Sequence, residues 1–89
     1  MISVCVATYN GEKYIKEQLL SILSQIGLND EVVVSDDHSN DSTIDIVKSL
    51  NDKRVKIIYN EGNRGYTSNF ENALKHAKGD YVFISDHTL

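Results

Sequence analysis

Proline and tryptophan are missing altogether, cysteine occurs once and glycine only five times among 89 residues. Without proline there is no Pro-rich spacer, and no internal repeat or low-complexity segment interrupts the chain. The lone Cys5 cannot close an intramolecular disulfide. It sits in an apolar run with neither a helix start nor a histidine beside it, so a buried, reduced thiol is expected rather than a nucleophile. No stretch of about 18 apolar residues exists, which excludes a membrane-spanning helix. Met1 leads directly into a strand pattern and not into a basic region followed by an apolar stretch, so no signal peptide and a cytoplasmic location are expected. Positive charge is scarce too, nine Lys and Arg against thirteen Asp and Glu for a net charge of −4, and no basic stripe is available to track a nucleic-acid backbone.

What remains is 40% hydrophobic and 25% charged, the balance of one globular unit, and residues 1–89 are read as a single domain. A core of this size leaves more than roughly a third of the chain's surface wet, so modest stability is expected. The charge is uneven. Residues 27–52 hold seven acids (Asp30, Glu31, Asp36, Asp37, Asp41, Asp45 and Asp52) against Lys48 alone, whereas residues 53–89 are net basic. Solvated faces account for most of this, but the acids around Asp36 fall where a strand pattern ends.

Four short apolar runs, residues 2–7, 31–35, 55–59 and 81–85, alternate with three segments of helical period, the pattern of consecutive β-α-β units and of a parallel sheet. Each run is β-branched or aromatic and brief, as buried parallel strands are. Between the first two, Tyr14, Ile15, Leu19, Ile22, Leu23 and Ile26 recur at helical spacing, with Gly27 at the expected stop. Ile44, Val47 and Leu50 carry a second helix behind the polar run 39–42, a source of capping residues. A third places Tyr66, Phe70, Ala73, Leu74 and Ala77 on one face and ends by Gly79. Right-handed crossovers then set the first strand centrally, the second and third to one side and the fourth to the other. The expected fold is α/β, a three-layer parallel sheet of four strands in the order 3-2-1-4 with three helices.

In such a sheet a ligand binds beyond the carboxyl ends of the strands, where the order reverses. Thr8, Tyr9 and Asn10 follow the first strand, Asp36, Asp37 and His38 the second, Asp86 and His87 the fourth. Three carboxylates, an aromatic ring and an amide can stack on a base, accept its N–H groups and hold a hard divalent cation through oxygen. A plainer account has Asp36 and Asp37 capping the following loop and helix and Tyr9 as a turn residue, and from these residues alone the two accounts weigh equally. His38 and His76 have no spaced nucleophile to serve, so solvated or capping histidines are expected. A dinucleotide-binding fold needs three glycines after its first strand where Thr8-Tyr9-Asn10-Gly11 supplies one, and a P-loop needs a Gly-Lys-Ser/Thr that does not occur. A receiver-type phosphoacceptor would carry its paired acids after the first strand.

Three stretches, SVCVATYNGE (residues 3–12), EVVVSDDHSND (31–41) and NEGNRGYTSNFENALKHAKGDYVFISD (60–86), stand in order and span almost the whole chain. Together they resemble the N-terminal motifs of family 2 glycosyltransferases, with the third most similar to members that make bacterial surface polysaccharides. The resemblance implies the N-terminal, nucleotide-sugar-binding half of a GT-A fold. It also implies that the turn Ala7, Thr8, Tyr9 wraps the base with Glu12 contributing from the helix start, and that Asp37 accepts an N–H from the base edge. Asp36 is tied into the loop, Arg64 meets a phosphate and Gly65 permits close approach of the backbone. The implied partners are a UDP- or dTDP-linked sugar and, in the full-length protein, a saccharide or lipid acceptor at the inner face of the membrane.

The sequence departs from that family in two places. An Asp-rich motif after the fourth strand ordinarily holds Mg²⁺ or Mn²⁺ against the donor diphosphate, whereas here Asp86 is followed by His87, Thr88 and Leu89. One carboxylate is a poor site for a hard divalent ion, and His87 favours softer metals, so weak or absent metal binding is expected. Ala7 stands where many relatives have proline, which loosens the turn without removing a functional group. The acceptor site and the base for an inverting displacement belong to a second half, so no catalytic residue and no sugar transfer are expected of these residues alone. Strand 81–85 would then be an apolar edge that pairs with a second copy. The competing reading is a non-catalytic nucleotide-binding or interaction module of α/β fold.

Overall fold

The computed structural model describes residues 1–85. Its central strand β1 (Ile2–Thr8) pairs in parallel with β2 (Glu31–Asp36) on one side and β4 (Tyr81–Ser85) on the other, and β3 (Val55–Tyr59) completes the order β3-β2-β1-β4. This is the order that right-handed crossovers require of four strands joined through helices. Both faces of the middle strands are covered, which is why β2 is buried at all six positions. Alternate residues divide between two cores. Val4, Val6, Val32 and Val34 pack against Ile15, Leu19 and Leu23 of α1 (Ile15–Leu23) and Val47 of α2 (Thr43–Ser49). Cys5 and Val33 face the other way, toward Ala73 of α3 (Tyr66–His76). The result is the three-layer arrangement expected, and Cys5 lies inside it, with burial and the charge of Glu31 pushing its thiol pKa up.

Helix ends depart from the sequence pattern for local reasons. α1 stops at Leu23, one turn before Gly27, because side chains take over its last carbonyls: Ser24 Oγ and Gln25 Nε2 both donate to Ser21 O, at 2.7 and 3.1 Å. Arg54 Nη1 donates to Leu23 O and Ile26 O, each at 3.2 Å, and Arg54 is itself held through Nη2 by Asp52 Oδ2 at 2.8 Å. α2 starts from Ser42, which makes no side-chain cap bond; instead Asp41 Oδ1, one residue earlier, accepts from Thr43 N at 3.0 Å and from the Thr43 hydroxyl. Ile46, rather than Ile44, joins Val47 and Leu50 against the core. On α3 the inward face holds Asn69, Phe70 and Ala73, whereas Tyr66 and Leu74, expected in the apolar stripe, are exposed.

At the amino ends of the strands a second polar cluster is buried. Glu31 Oε2 accepts from Ser3 Oγ at 2.6 Å and Lys78 N at 2.8 Å, and Oε1 accepts from Lys56 Nζ at 2.8 Å. Burial pushes the Glu31 pKa up, but the Lys56 ammonium and these donors outweigh it and hold the carboxyl at about 2. Gly79 N donates to Ser3 Oγ, and a Cβ on Gly79 would stand 2.7 Å from Met1 O, so glycine is required where the α3–β4 connection crosses β1. β4 is the outer strand beside β1. Its residues Tyr81, Val82, Phe83 and Ile84 are 43–69% exposed, and a groove of about 320 Å³ between β4 and α1 is lined by Ile2, Val4, Ile22, Ile26, Phe83 and Ile84.

Candidate functional site

The loops that leave β1 and β2 at their carboxyl ends are zipped together by side chains. Asn10, at φ 49°, tolerates the left-handed region as asparagine does; its N–H donates to Ser39 Oγ at 2.9 Å and its Oδ1 accepts from Asn40 N at 2.7 Å. Gly11 N donates to Thr43 Oγ1 at 2.8 Å and Glu12 N to Asp41 Oδ2 at 3.2 Å, while Glu12 Oε1 accepts from Ser42 N at 3.0 Å. Burial pushes the Asp41 pKa up, but the Thr43 hydroxyl and the N–H groups it accepts from leave it below its ordinary value. The polar runs on either side therefore satisfy backbone donors that the strand ends leave without partners.

The paired acids divide two tasks. Asp36 is buried, and its carboxylate is filled from within: Oδ1 accepts from Thr8 Oγ1 and Ser39 Oγ, each at 2.6 Å, and Oδ2 from Ser39 N at 2.8 Å. Asp37 is turned toward the segment that enters α3. Its N–H donates to Thr8 O at 2.9 Å, its Oδ2 accepts from Gly65 N at 2.9 Å and its Oδ1 from Asn60 Nδ2 at 3.2 Å. Arg64 Nη2 donates to Asp37 O at 3.2 Å, and the guanidinium lies 5.7 Å from the centre of the exposed Tyr9 ring, within cation–π range. Gly65 has φ 133°, which side chains disfavour, and nothing lies within 4 Å of where its Cβ would be. The backbone conformation calls for glycine here.

These groups surround a cleft of about 430 Å³, a size that suits a small ligand. Ala7, Thr8, Tyr9, Asp37, Arg64 and Gly65, all singled out in the sequence, line it. Tyr14, Tyr66 and Asn69 line it too and were not singled out as site residues. Tyr14 and Tyr66 count as core residues by periodicity, and Asn69 is buried, with Nδ2 donating to Thr8 O at 3.2 Å and Oδ1 accepting from Ser35 Oγ at 2.7 Å. Glu12 and Asp36 are not brought to the cleft wall: the Glu12 carboxylate is turned to Ser42 N in the β2–α2 loop, and Asp36 is enclosed. Asn10 likewise serves the zipper. Asp86 and His87, the metal candidates, lie outside the described residues. Among the described residues no group of three or more His, Cys, Asp and Glu side chains could share a metal ion.

With this geometry in view, similarity to known proteins is consistent across three comparisons. The sequence model of a family described as Glycosyl transferase family 2 matches residues 3–87. The Escherichia coli protein named UDP-Glc:alpha-D-GlcNAc-diphosphoundecaprenol beta-1,3-glucosyltransferase WfgD is 34% identical over 86 residues, covering 97% of this chain and 34% of that protein. The crystal structure of Staphylococcus aureus TarS 1-349 in complex with UDP-GlcNAc superposes with a TM-score of 0.86 at 40% identity, covering 96% of this chain and 26% of that one. A mannosyltransferase, PcManGT from Pyrobaculum calidifontis in complex with GDP-Man and Mn²⁺, superposes with a TM-score of 0.72 at 31% identity, covering 91% of this chain and 25% of that one. The chain spans about a third of the length of the curated relatives it matches first.

Proposed function

The chain belongs to glycosyl transferase family 2, and from that membership we propose that residues 1–89 form the donor-binding unit of a glycosyltransferase, with the cleft holding the nucleoside of a UDP-type sugar. The observation that carries this reading is Asp37: a buried acid with its carboxylate held at the wall of a cleft, beside the exposed ring of Tyr9. A carboxylate only accepts hydrogen bonds, so it selects a base edge that offers an N–H, as uracil does at N3, and disfavours one that offers an acceptor. Tyr9 supplies a stacking face, with Ala7 and the Thr8 backbone forming the wall, and Arg64 supplies a charge for the diphosphate. Tyr14 and Tyr66 extend the same apolar wall. TarS, crystallised with UDP-GlcNAc and with UDP, and WfgD, named for UDP-Glc, support a uridine nucleotide over the alternatives.

The transfer itself belongs to the whole protein. An inverting displacement needs a base poised at the acceptor hydroxyl, and in this reading Asp37, the carboxylate that lines the cleft, is given to the base edge of the nucleotide. A Mg²⁺ or Mn²⁺ ion that offsets the diphosphate charge is assigned to the whole protein, in keeping with the Mn²⁺ of PcManGT. The acceptor is a saccharide or a lipid-linked saccharide of cell-surface polysaccharide synthesis, and the diphosphoundecaprenol in the name of WfgD favours work at the inner face of the membrane. No helix among the described residues is long and apolar enough to cross one.

Calorimetric titration tests the reading. UDP binding is expected in the absence of metal, little changed by Mn²⁺, and reduced on the order of tenfold or more in Asp37→Ala, the cost of a hydrogen bond to a charged acceptor. No sugar product is expected from UDP-sugars with the 89-residue chain. Tight NAD binding without UDP binding, or turnover by the purified chain, contradicts the proposal.

A further inference from the structure

Asn60 is among the most buried side chains of the molecule, 2% exposed, although it lies beyond the last residue of β3 and no element requires an amide there. Every polar group it has is used. Its Nδ2 faces Asp37 Oδ1 at 3.2 Å, Asn63 O at 3.1 Å and Ser68 Oγ at 3.4 Å, and its Oδ1 accepts from Gly62 N at 3.2 Å. Its backbone N–H donates to Asp36 O at 2.9 Å, and its carbonyl lies 2.9 Å from His38 Nε2. One side chain thus joins the loop after β2, the loop after β3 and the first turn of α3, the segments that carry Asp37, Arg64 and Gly65.

The arrangement around Asp37 gives this a chemical consequence. Among the described residues, Oδ2 is taken by Gly65 N and Oδ1 by Asn60 Nδ2, one donor on each oxygen. A carboxylate has about four acceptor positions, so two remain, and the two protein donors decide where those two point. The Gly65 donor depends on the same loop, since Asn63 O and Gly62 N, both tied to Asn60, lie within three residues of it. We infer that Asn60 is a positioning residue for the base-reading carboxylate: by donating to Asp37 Oδ1 it turns the free acceptor positions of Asp37 toward the cleft and thereby sets the preference for a nucleotide whose base edge presents an N–H. This rests on the proposed reading of the cleft as a nucleoside pocket. Asn60 is not among the residues that line the cleft, and its action is through Asp37.

The test compares UDP with CDP, whose cytosine offers an acceptor at the ring position where uracil offers an N–H, by calorimetry on the complete chain. Wild type is expected to prefer UDP. Asn60→Leu removes the amide and should cut UDP affinity on the order of tenfold while leaving CDP affinity nearly unchanged, so that the preference collapses. A residue that merely supports the loop would weaken both nucleotides together. Asn60→Asp keeps the shape and supplies the test if the leucine variant does not fold. At pH 8 two facing carboxylates repel and the preference should be lost, whereas near pH 5 a proton shared between them restores a donor to Asp37 and the preference should return. Equal UDP/CDP ratios in wild type and in the folded variants, or an Asn60→Asp preference that does not change with pH, overturn the inference. Failure of wild type to bind either nucleotide overturns the nucleoside reading itself, and this inference with it.

Discussion

Two adjacent aspartates with the same chemistry end in different roles because their surroundings differ by one rotation of the chain. Asp36 points back into the loop, where Thr8 and Ser39 fill its oxygens, while Asp37 points toward the α3 entrance. That division was legible only through family resemblance; adjacency and charge say nothing about direction. Glu31, one acid among seven in its stretch of sequence, is buried in a network of donors and so bears on stability. Its folded-state pKa is depressed from 4.5 to about 2, so its contribution is fully present above about pH 4.5 and is lost as pH falls toward 2. At neutral pH it amounts to about 2–3 kcal/mol, allowing for screening on the half-exposed Lys56 side. Urea midpoints should therefore fall between pH 5 and pH 3 in wild type, and fall distinctly less over that interval in Glu31→Gln, which is already weakened at pH 7.

Elements were the most legible level. Runs of Val and Ile separated by helical periods leave little choice but a parallel sheet, and the chain order of the runs leaves little choice of topology. The ends and faces of the helices were less legible, because side-chain hydrogen bonds decide them and apolar periodicity carries no record of those. α3 is the clearest case: its inward face near the cleft is polar, with Asn69 bonded to Thr8 O and Ser35 Oγ and Asn72 Nδ2 donating to Ser35 Oγ at 2.9 Å and Tyr59 O at 3.1 Å. A stripe of apolar residues therefore misplaces Tyr66 and Leu74. The carboxyl end of α1 depends on Arg54, a residue 31 positions beyond Leu23 that no local rule connects to it. Arg54→Ala should leave α1 with unsatisfied carbonyls and cost about 1–2 kcal/mol in chemical denaturation, whereas Lys53→Ala next to it should cost little.

For the molecule as a whole, the sheet is protected on the faces of its middle strands and open at β4. No charged residue interrupts Tyr81–Ser85, and an uncharged, apolar outer strand is a template for pairing. Self-association through this strand is the expected behaviour of the purified chain, and Phe83→Lys should shift light-scattering mass toward the monomer; an unchanged clean monomer at high concentration for both proteins contradicts it. The cleft lies at the opposite ends of the strands from Glu31. One further property follows from where the rings sit. The chain has five tyrosines and no tryptophan, and three of the five, Tyr9, Tyr14 and Tyr66, line the same cleft. With no tryptophan to mask them, these rings report on the cleft, and filling that space should change the tyrosine emission of the native polypeptide without any label.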